Sequence, residues 1–513
     1  MEYSISILIN TLVASVATLI VFSVLRIVYV VWWRPKSLEK YFRQQGLKGT
    51  SYKLFHGDTK EFTRSSKEAW SKPMPLSHHI VPRVLPFMHQ MVQNYGKICL
   101  SWKETTPSII VADAELMKLV LTDKNGHFIK PPLNPLVDLL QLGVAKLEGQ
   151  KWAKRRKLIT PAFHLDKLKE MIPAFATSCC NIVERWTSLL SPEGTCELDV
   201  FAEFSNLAGD VIARTAFGSS YEEGKMIFEL QKEQAVLALD AFNSFYIPGF
   251  RFIPTRKNRR RYDIDRQIKT TLRAMIHKKE QGVKNGELMG NDLLGLLLKC
   301  KEQSHNDLTI EDVIEECKLF YFAGQETTAN LLTWTLITLS VYPNWQEKAR
   351  QEVLQVCGKT IPSADKINHL KVVTMILNEV LRLYPPAAFM TRHSNKKTSI
   401  GGISIPPGVD IRLPILLLHY DPKYWGDDAE EFKPERFAEG ISKASKDQTA
   451  FYPFGWGPRF CLGQNFSMIE AKVALAIILQ HFWFELSPSY IHAPFLVITL
   501  QPQHGAPIIM HRI

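Results

Sequence analysis

Cys461 is the residue whose type and setting point most directly to chemistry, and it lies in the stretch PFGWGPRFCLGQNF at Pro453–Phe466. The glycines of this stretch allow the backbone to approach another group closely. A helical pattern, NFSMIEAKVALAIIL, begins just after the cysteine, and the free N–H groups and dipole of a helix start stabilise a thiolate. Arg459 adds a cation. An unpaired cysteine often only packs in the interior, but packing requires none of these neighbours, so Cys461 is a candidate ligand.

A second candidate is the polar group inside YFAGQETTANLLTW at Tyr321–Trp334, within a long helical pattern. One interpretation is an amphipathic helix with Glu326 and Thr327 facing solvent. Apolar residues flank the pair on several sides, however, which favours partial burial and therefore a specific role. A threonine hydroxyl can bond to the carbonyl one turn back and open the helix locally. Next to small residues, this predicts a groove that could hold dioxygen.

Two further pairs have helical spacing. Glu379 and Arg382 in NEVLRLYPP are three residues apart and adjacent on one helix face, which taken alone describes a common surface ion pair. Trp152 and Arg156 in GQKWAKRRKLITPAFH are four residues apart and share a face in the same way. The sequence alone leaves both pairs open to a structural or a functional interpretation.

The order F-x-x-G-x-R-x-C-x-G is met by five residues around the cysteine and resembles the haem-binding loop of the cytochrome P450 monooxygenases. The five are Phe454, Gly457, Arg459, Cys461 and Gly463. The resemblance implies that the cofactor is haem b and that Cys461 is the axial thiolate ligand of its iron. It also implies that Arg459 pairs with a haem propionate and that Phe454 packs beside the thiolate.

The other segments match the same family in chain order. The pattern A-G-x-[DE]-T-[TS] covers Ala323–Thr328 and implies that Glu326 and Thr327 form the catalytic proton relay, with Thr328 only supporting. The family's W-x-x-x-R motif implies that Trp152 and Arg156 contact the haem propionates.

Three more arginines acquire roles from the resemblance. E-x-x-R, together with Arg436 of EFKPERF, implies a buried triad of Glu379, Arg382 and Arg436 that supports the haem loop. Arg392, ten residues after Arg382, resembles a further propionate partner. The triad is assigned a structural role and Arg392 a cofactor-binding one.

The activity implied by the resemblance is monooxygenation, in which O2 is used to hydroxylate a C–H bond with electrons from NADPH through NADPH–cytochrome P450 reductase. Whether oxidation continues beyond the alcohol stays open. A haem-thiolate isomerase or dehydratase that uses no O2 is an alternative, although such enzymes tend to lose the acid–alcohol pair. A non-catalytic membrane protein that only binds haem or a terpenoid is the other.

The distribution of charge along the sequence bears on which partners the protein binds. The net charge of +11 is scattered apart from clusters at Lys151–Lys157 and Arg256–Arg261, so no stripe for tracking nucleic acid is indicated. The first cluster could be an ordinary solvated face. If the resemblance holds, its remaining cations flank the proximal side of the haem, where an acidic reductase would be steered to dock. These cations are Lys151, Lys154, Arg155 and Lys157.

A departure from the usual family pattern after the anchor indicates the branch of the family. The usual proline-rich hinge, P-P-G-P, is replaced by RPKSLEKYFRQQGLKGTSYKLFHGD at 34–58. This segment, with IPGFRFIPTRKNRRR and the closing PQHGAPI, resembles the plant branch that contains secologanin synthase and triterpenoid oxidases, plant family seventy-two. The resemblance implies an apolar terpenoid substrate. The wall segments implied by family-relative position, each of which could also be ordinary core, are Leu133–Leu142, Ala235–Phe245, Leu319–Phe322, Ala387–Met390 and Val497–Ile498.

The N-terminus predicts a membrane anchor. Tyr3–Leu25 carries no charge and is about long enough to cross the hydrocarbon core. Trp32 and Trp33 precede Arg34 and Lys36, as in an interfacial belt on the cytoplasmic side. A cleaved signal peptide would carry its charges before the apolar core instead. We therefore expect residues 1–33 to be a single-pass anchor in endoplasmic reticulum lipid, and residues 34–513 to be one catalytic domain on the cytosolic face.

The elements that must position these residues are mostly helical. Hydrophobic residues make up 46% and charged residues 22% of the 513, which suits a globular core. Eight cysteines without regular spacing favour a reducing compartment. Long helical patterns cover Ile310–Val341 and His369–Tyr384, and strand-like runs appear at SIIVAD, SIGGISI and FLVITL. The expected fold class is mainly α with a minor β-sheet part, the cytochrome P450 fold, preceded by a transmembrane helix.

Overall fold

The uncharged N-terminal run is helical, as its composition predicts. The computed structural model describes residues 2–132, 134–140, 143–219, 221–242, 244, 246–247, 249–285, 292–303 and 308–513. Within these residues one helix, Ile5–Gln44, is long and apolar enough to cross a membrane by length and composition. The helix is continuous across residue 33, the expected end of the anchor. A π-helical segment, Tyr29–Trp33, connects its apolar part to the polar stretch Arg34–Gln44. Phe42 of that stretch is fully buried, so the end of this helix already packs on the core.

Helices form most of the described chain. They are α1 Glu2–Val28, α2 Arg34–Gln44, α3 Thr59–Ser71, α4 Val81–Val84, α5 Pro86–Tyr95, α6 Ala114–Leu121, α7 Gly143–Lys146, α8 Gly149–Ile159, α9 Leu165–Ser188, α10 Val200–Ile212, α11 Tyr221–Phe242, α12 Arg256–Lys284, α13 Leu293–Gln303, α14 Ile310–Val341, α15 Pro343–Cys357, α16 Ala364–Asn368, α17 Lys371–Leu383, α18 Ile415–His419, α19 Pro422–Trp425 and α20 Gln464–His481.

The strands are short and lie in small sheets. They are β1 Ile98–Lys103, β2 Thr106–Val111, β3 Phe128–Ile129, β4 Thr195–Asp199, β5 Met390–Ser394, β6 Thr398–Ile400, β7 Ile403–Ile405, β8 Asp410–Leu413, β9 Phe482–Leu486, β10 Pro494–Leu496, β11 Leu500–Pro502 and β12 Pro507–Arg512. The largest sheet has the order β1-β2-β8-β5-β3, in which β2 and β8 are parallel and the other pairs antiparallel. A second sheet has the order β4-β12-β9, and β6-β7 and β10-β11 are hairpins.

Helix α14 forms the centre of the core. Its N-terminus is fixed by a capping box, in which Thr309 and Asp312 exchange side-chain and backbone hydrogen bonds. From Cys317 onward most of its residues are buried on all sides, as expected of a helix enclosed by protein. It packs against α10, α17 and α20, and α20 packs against α9. Because α14, α17 and α20 pack together, the segments that carry Glu326, Glu379 and Cys461 belong to the same core.

The predicted fold class is confirmed. Most of the predicted helices and strands are also found, with one exception. The pattern at Ile310–Val341 matches α14, and the one at His369–Tyr384 corresponds to α17. SIIVAD lies largely in β2, and SIGGISI forms the β6-β7 hairpin. The strand-like run FLVITL is divided between two strands, β10 and β11. A turn at 497–499 folds it back so that Leu496 pairs with Leu500, because contacts with distant residues outweigh the local strand preference.

Candidate active site

The cysteine loop ends where α20 begins, and this places Cys461 at a helix start. The backbone N–H groups of Gly463 and Gln464 lie close enough to the thiol sulfur to favour its ionised form. The N–H of Cys461 itself donates to the carbonyl of Phe454 at 2.9 Å, which closes the loop. The thiol is accessible although protein surrounds it, so it faces an internal space. Burial raises the pKa of the Cys461 thiol, whereas the two N–H groups and Arg156 act to lower it.

One glycine of the loop is required by the fold. Gly457 has a φ of 72°, in the left-handed region that favours glycine. A Cβ atom there would lie 2.4 Å from the carbonyl oxygen of Leu121 at the end of α6. The loop therefore lies directly against α6. This close approach fixes the position of the loop, and with it that of Cys461, relative to α6.

Several cations near the thiol are buried or partly buried. The guanidinium of Arg459 lies 4.5 Å from the ring centre of Trp152 and donates to Glu148, and that of Arg156 lies 4.9 Å from the ring of Phe460. Arg392 is 5% exposed, and burial together with the nearby charge of Arg459 lowers its pKa to about 10. The structure thus brings together the four residues expected at the propionates: Trp152, Arg156, Arg392 and Arg459.

Lys130 belongs to this cluster and was not found from the sequence. Burial, Arg392 and Arg459 lower the pKa of its ammonium to about 7, while Glu148 acts in the opposite direction. Among the described residues, Glu148 is the acid that counters these cations. Buried like charges are costly without anions, so the cluster is short of negative charge, and two carboxylates such as the haem propionates would supply it. The residues present therefore fit the cofactor.

Glu326 and Thr327 lie midway along α14. The Thr327 hydroxyl donates to the carbonyl of Ala323 at 2.8 Å, the back-bond anticipated from the sequence, and the helix stays continuous across it. Gly324 serves packing, because a Cβ there would lie 2.8 Å from the side chain of Ile212 on α10. Burial raises the pKa of the Glu326 carboxyl, and Thr499 donates a hydrogen bond to it at 2.6 Å. Glu326 and Thr327 are both only partly exposed, so the pair does not lie on a fully solvated helix face.

The predicted support triad is assembled in the interior. Glu379 and Arg382 are both 0% exposed, and the Nε and Nη2 atoms of Arg382 each donate to the carboxylate at 2.7 Å. The remaining guanidinium protons go to the carbonyls of His419, Ala429 and Glu431. The Nε of Arg436 lies 3.5 Å from Glu379. The surface interpretation of the Glu379–Arg382 pair is excluded.

His419 links this triad to the cysteine loop and was missed by sequence reasoning. Its Nδ1 lies 3.0 Å from the carbonyl of Arg382, and its Nε2 accepts from the N–H of Tyr452 at 3.0 Å. Only a neutral ring protonated on Nδ1 satisfies both partners. Accordingly, burial lowers the pKa of His419 to about 3. The buried His419 ring therefore connects Arg382 of α17 to Tyr452, the residue that precedes the cysteine loop.

One expectation about the basic cluster is wrong. Arg155 does not lie on an open face: its Nη1 donates to Glu316 at 2.8 Å, its Nη2 lies 3.1 Å from Asp312, and it is 8% exposed. A one-residue step along α8 turns a side chain by about 100°, and this directs Arg155 into α14. Lys151, Lys154 and Lys157 are exposed.

Three of the expected wall segments meet in a small apolar cluster separate from the main core. Leu140, Ala235, Ala238 and Phe322 are buried together there, and Val137 packs against them. Phe242 and Phe389 line a neighbouring cavity that also contains Lys103 and Arg412. Val497 and Ile498 lie instead on a groove beside Glu326. Of the expected segments, Leu133, Gln141, Leu142, Asn243 and Phe245 lie outside the described residues.

Comparisons with known proteins bear on these observations. Residues 79–503 match the family model described as Cytochrome P450. The chain is 53% identical over 491 residues to Cytochrome P450 CYP72A616 of Paris polyphylla, which covers 94% of this chain and 95% of that protein. It is 47% identical over 511 residues, 97% of each chain, to 7-deoxyloganic acid hydroxylase of Catharanthus roseus.

Two further similarities concern an oxidase and the fold. The chain is 49% identical over 501 residues to 11-oxo-beta-amyrin 30-oxidase of Glycyrrhiza uralensis, with 96% of this chain and 95% of that one covered. The solved structure of retinoic acid bound cyanobacterial CYP120A1 aligns with a TM-score of 0.76 at 21% identity, over 91% of this chain and 99% of that one. This structural likeness concerns the fold alone.

Proposed function

The chain belongs to the cytochrome P450 family, so it is a haem-thiolate monooxygenase, and we propose that it hydroxylates an apolar terpenoid-type plant metabolite. Electrons would come from NADPH through NADPH–cytochrome P450 reductase. The observation that carries the proposal is the position of Cys461, at a helix start and close to the cations Arg156, Arg459 and Arg392. In this proposal Cys461 would supply the thiolate that binds the haem iron, and Trp152, Arg156, Arg392 and Arg459 would hold the propionates.

Bound haem supplies an iron centre at which dioxygen is activated for insertion of one oxygen atom into a C–H bond. The chain's own groups hold and protect that centre. The N–H groups of Gly463 and Gln464 favour the thiolate form of Cys461. The network of Glu379, Arg382 and His419 keeps the loop before Cys461 rigid, which is a positioning role.

Proton delivery is assigned to the acid and alcohol of α14. The Glu326 carboxyl, whose pKa is raised by burial, is the acid of this pair that would hold and release a proton. Thr327 presents a hydroxyl one residue further along the same turn. Retention of both groups supports an O2-using reaction over an isomerase or dehydratase, which has no need of a proton relay.

The substrate class rests on the walls and the relatives. The apolar character of Leu140, Ala235, Ala238 and Phe322, and of Phe242 and Phe389 beside the adjoining cavity, supports an apolar substrate. The cations of the adjoining cavity, Lys103 and Arg412, are balanced there by Asp58 and Asp410. Two relatives are described as acting on 7-deoxyloganic acid and 11-oxo-beta-amyrin, compounds of this general kind.

The location follows from the N-terminal helix. In the proposal, residues 1–33 anchor the protein in the endoplasmic reticulum membrane, and residues 34–513 form one catalytic domain on the cytosolic face. The aromatic and basic residues Trp32, Trp33 and Arg34 support this orientation. Burial of Phe42 in the main core supports a domain that begins soon after the anchor.

The test is expression in membranes with a plant reductase and a panel of terpenoids, with products identified by mass spectrometry. Product that requires both NADPH and O2 is expected. A haem-thiolate isomerase would form product without either, and a binding protein would form none. The carbon monoxide difference spectrum of the reduced protein should show the red-shifted thiolate band. Cys461→Ala should abolish the band and Cys180→Ala should keep it; a band that survives in Cys461→Ala would refute the ligand assignment.

A further inference from the structure

Thr499 lies in the turn between β10 and β11, 173 residues from the acid of α14 to which it donates a hydrogen bond. The distance from its Oγ1 to Oε1 of Glu326 is 2.6 Å, and Thr499 is 6% exposed. This short, buried contact lies at the bend of the apolar run FLVITL. The hydroxyl has one proton to donate, so the direction of the bond depends on its other partner.

Asn330 supplies that partner. It is 0% exposed, and its Nδ2 donates to Oγ1 of Thr499 at 3.1 Å and to the backbone carbonyl of Glu326 at 2.8 Å. Because the amide nitrogen uses its protons on these two acceptors, the Thr499 oxygen is an acceptor from Asn330 and its proton is directed to Glu326. The chain of donors therefore runs from Asn330 through Thr499 to the carboxyl.

The carboxyl also borders a groove open to solvent. This groove, of about 870 Å³, lies between α9, α10, α11, α14 and the β10-β11 turn, with Glu326, Val497 and Ile498 on its wall. Lys232 of α11 is near enough to act on the carboxyl and lowers its pKa. The other charged side chains that line the groove are Arg185, Asp210, Arg214, Lys225 and Glu229.

We propose that Thr499 is a positioning residue that fixes the Glu326 carboxyl between the interior and this groove, with Asn330 as its anchor. The inference rests on the proposed function, since it concerns the proton supply of the oxidation. A hydrogen bond donated to a carboxylate stabilises its charged form against burial. Thr499 thus lets Glu326 release its proton inward and regain one from the groove without changing its side-chain conformation.

The experiment compares Thr499→Val, which keeps the shape and removes the hydroxyl, with Thr499→Ser, which keeps the hydroxyl. The coupling ratio, product formed per NADPH consumed, is measured from pH 6 to 9 in each full-length protein, and Glu326→Gln identifies the limb that belongs to Glu326. In Thr499→Val that limb should move to higher pH and peroxide release should rise several-fold. Thr499→Ser should retain the original profile.

A second measurement does not depend on turnover. Infrared difference spectra between high and low pH show the carbonyl stretch of protonated Glu326 as the band absent from Glu326→Gln. In Thr499→Val this band should move to higher frequency because the donated hydrogen bond is lost, and Thr499→Ala gives the same comparison if the valine variant lacks the thiolate band.

The outcomes separate the inference from its premise. If the unmodified protein forms no NADPH- and O2-dependent product, the proposed function fails, while the infrared shift still tests the contact. If Glu326→Gln uncouples turnover but Thr499→Val leaves both the pH profile and the band unchanged, the role of Thr499 is overturned. Equal displacement in Thr499→Ser and Thr499→Val would also overturn it, because packing would then be responsible.

Discussion

Glu470 of α20 should make the protein less stable as the pH rises above the ordinary pKa of a carboxyl group. The residue is 0% exposed, and neither of its carboxyl oxygens has a hydrogen-bond partner among the described residues. Thr328 lies close enough to oppose the effect slightly, but burial raises the pKa of this carboxyl well above its ordinary value. Native protein therefore keeps a proton on Glu470 at a pH where the unfolded chain has lost it.

The sign and size of this pH dependence follow from the linkage between proton binding and unfolding. Above the unfolded pKa of 4.5 the native state binds more protons than the unfolded state, so the free energy of unfolding falls with rising pH until the native group ionises. The slope for one such group is about 1.4 kcal/mol per pH unit. At about 2.1 cal/mol/K of unfolding entropy per residue, this corresponds to roughly 1 °C per pH unit for a chain of this length. Glu470→Gln removes the contribution.

The assay is the thermal unfolding midpoint of the detergent-solubilised protein at pH 5.5, 6.5 and 7.5, followed by circular dichroism. The difference in midpoint between Glu470→Gln and the unmodified protein should grow in favour of the variant by roughly 2 °C over this range. Glu439→Gln, at an exposed position, is the matched control and should show no such trend. A constant difference for Glu470→Gln would show that the buried carboxyl is ionised already, and would refute the reasoning.

The remaining predictions concern the haem site and its surroundings. Thr327→Ala should keep the thiolate band but divert reducing equivalents to peroxide, measured as peroxide per NADPH; tight coupling would count against the relay. Double charge reversal, Lys151→Glu with Lys157→Glu, should slow stopped-flow reduction by the reductase and reverse its salt dependence, and unchanged rates would contradict a docking role. Arg155→Met should instead lower the unfolding midpoint, because it leaves Glu316 buried without its charged partner, at a cost of about 3–5 kcal/mol. A midpoint equal to that of the unmodified protein would contradict this.

The family and the short-range features of the fold could be read from the sequence. The capped pattern at Ile310–Val341 and the loop around Cys461 depend on neighbours within a few residues, and the structure reproduces both. The triad is a mixed case, since the spacing of Glu379 and Arg382 predicted adjacency but not burial. Burial depends on what covers a helix face, and spacing carries no information about that.

What the sequence could not supply comes from contacts between distant segments. Arg155 reads as one more cation of an exposed cluster until α14 places Glu316 beside it, 161 residues away. Lys130 and His419 have no motif that marks them, and each gains its role from groups on other elements.

The sequence by itself determined which chemistry the chain carries, because a cysteine at a glycine-rich helix start and an acid–alcohol pair are properties of short segments. Only the tertiary structure decided how that chemistry is held. Thr499 meets Glu326 because a hairpin at the end of the chain folds back on its central helix. The physical reason is that the proton affinity and orientation of a buried group are set by whatever packs around it in space, and neighbours in sequence are only a small part of that.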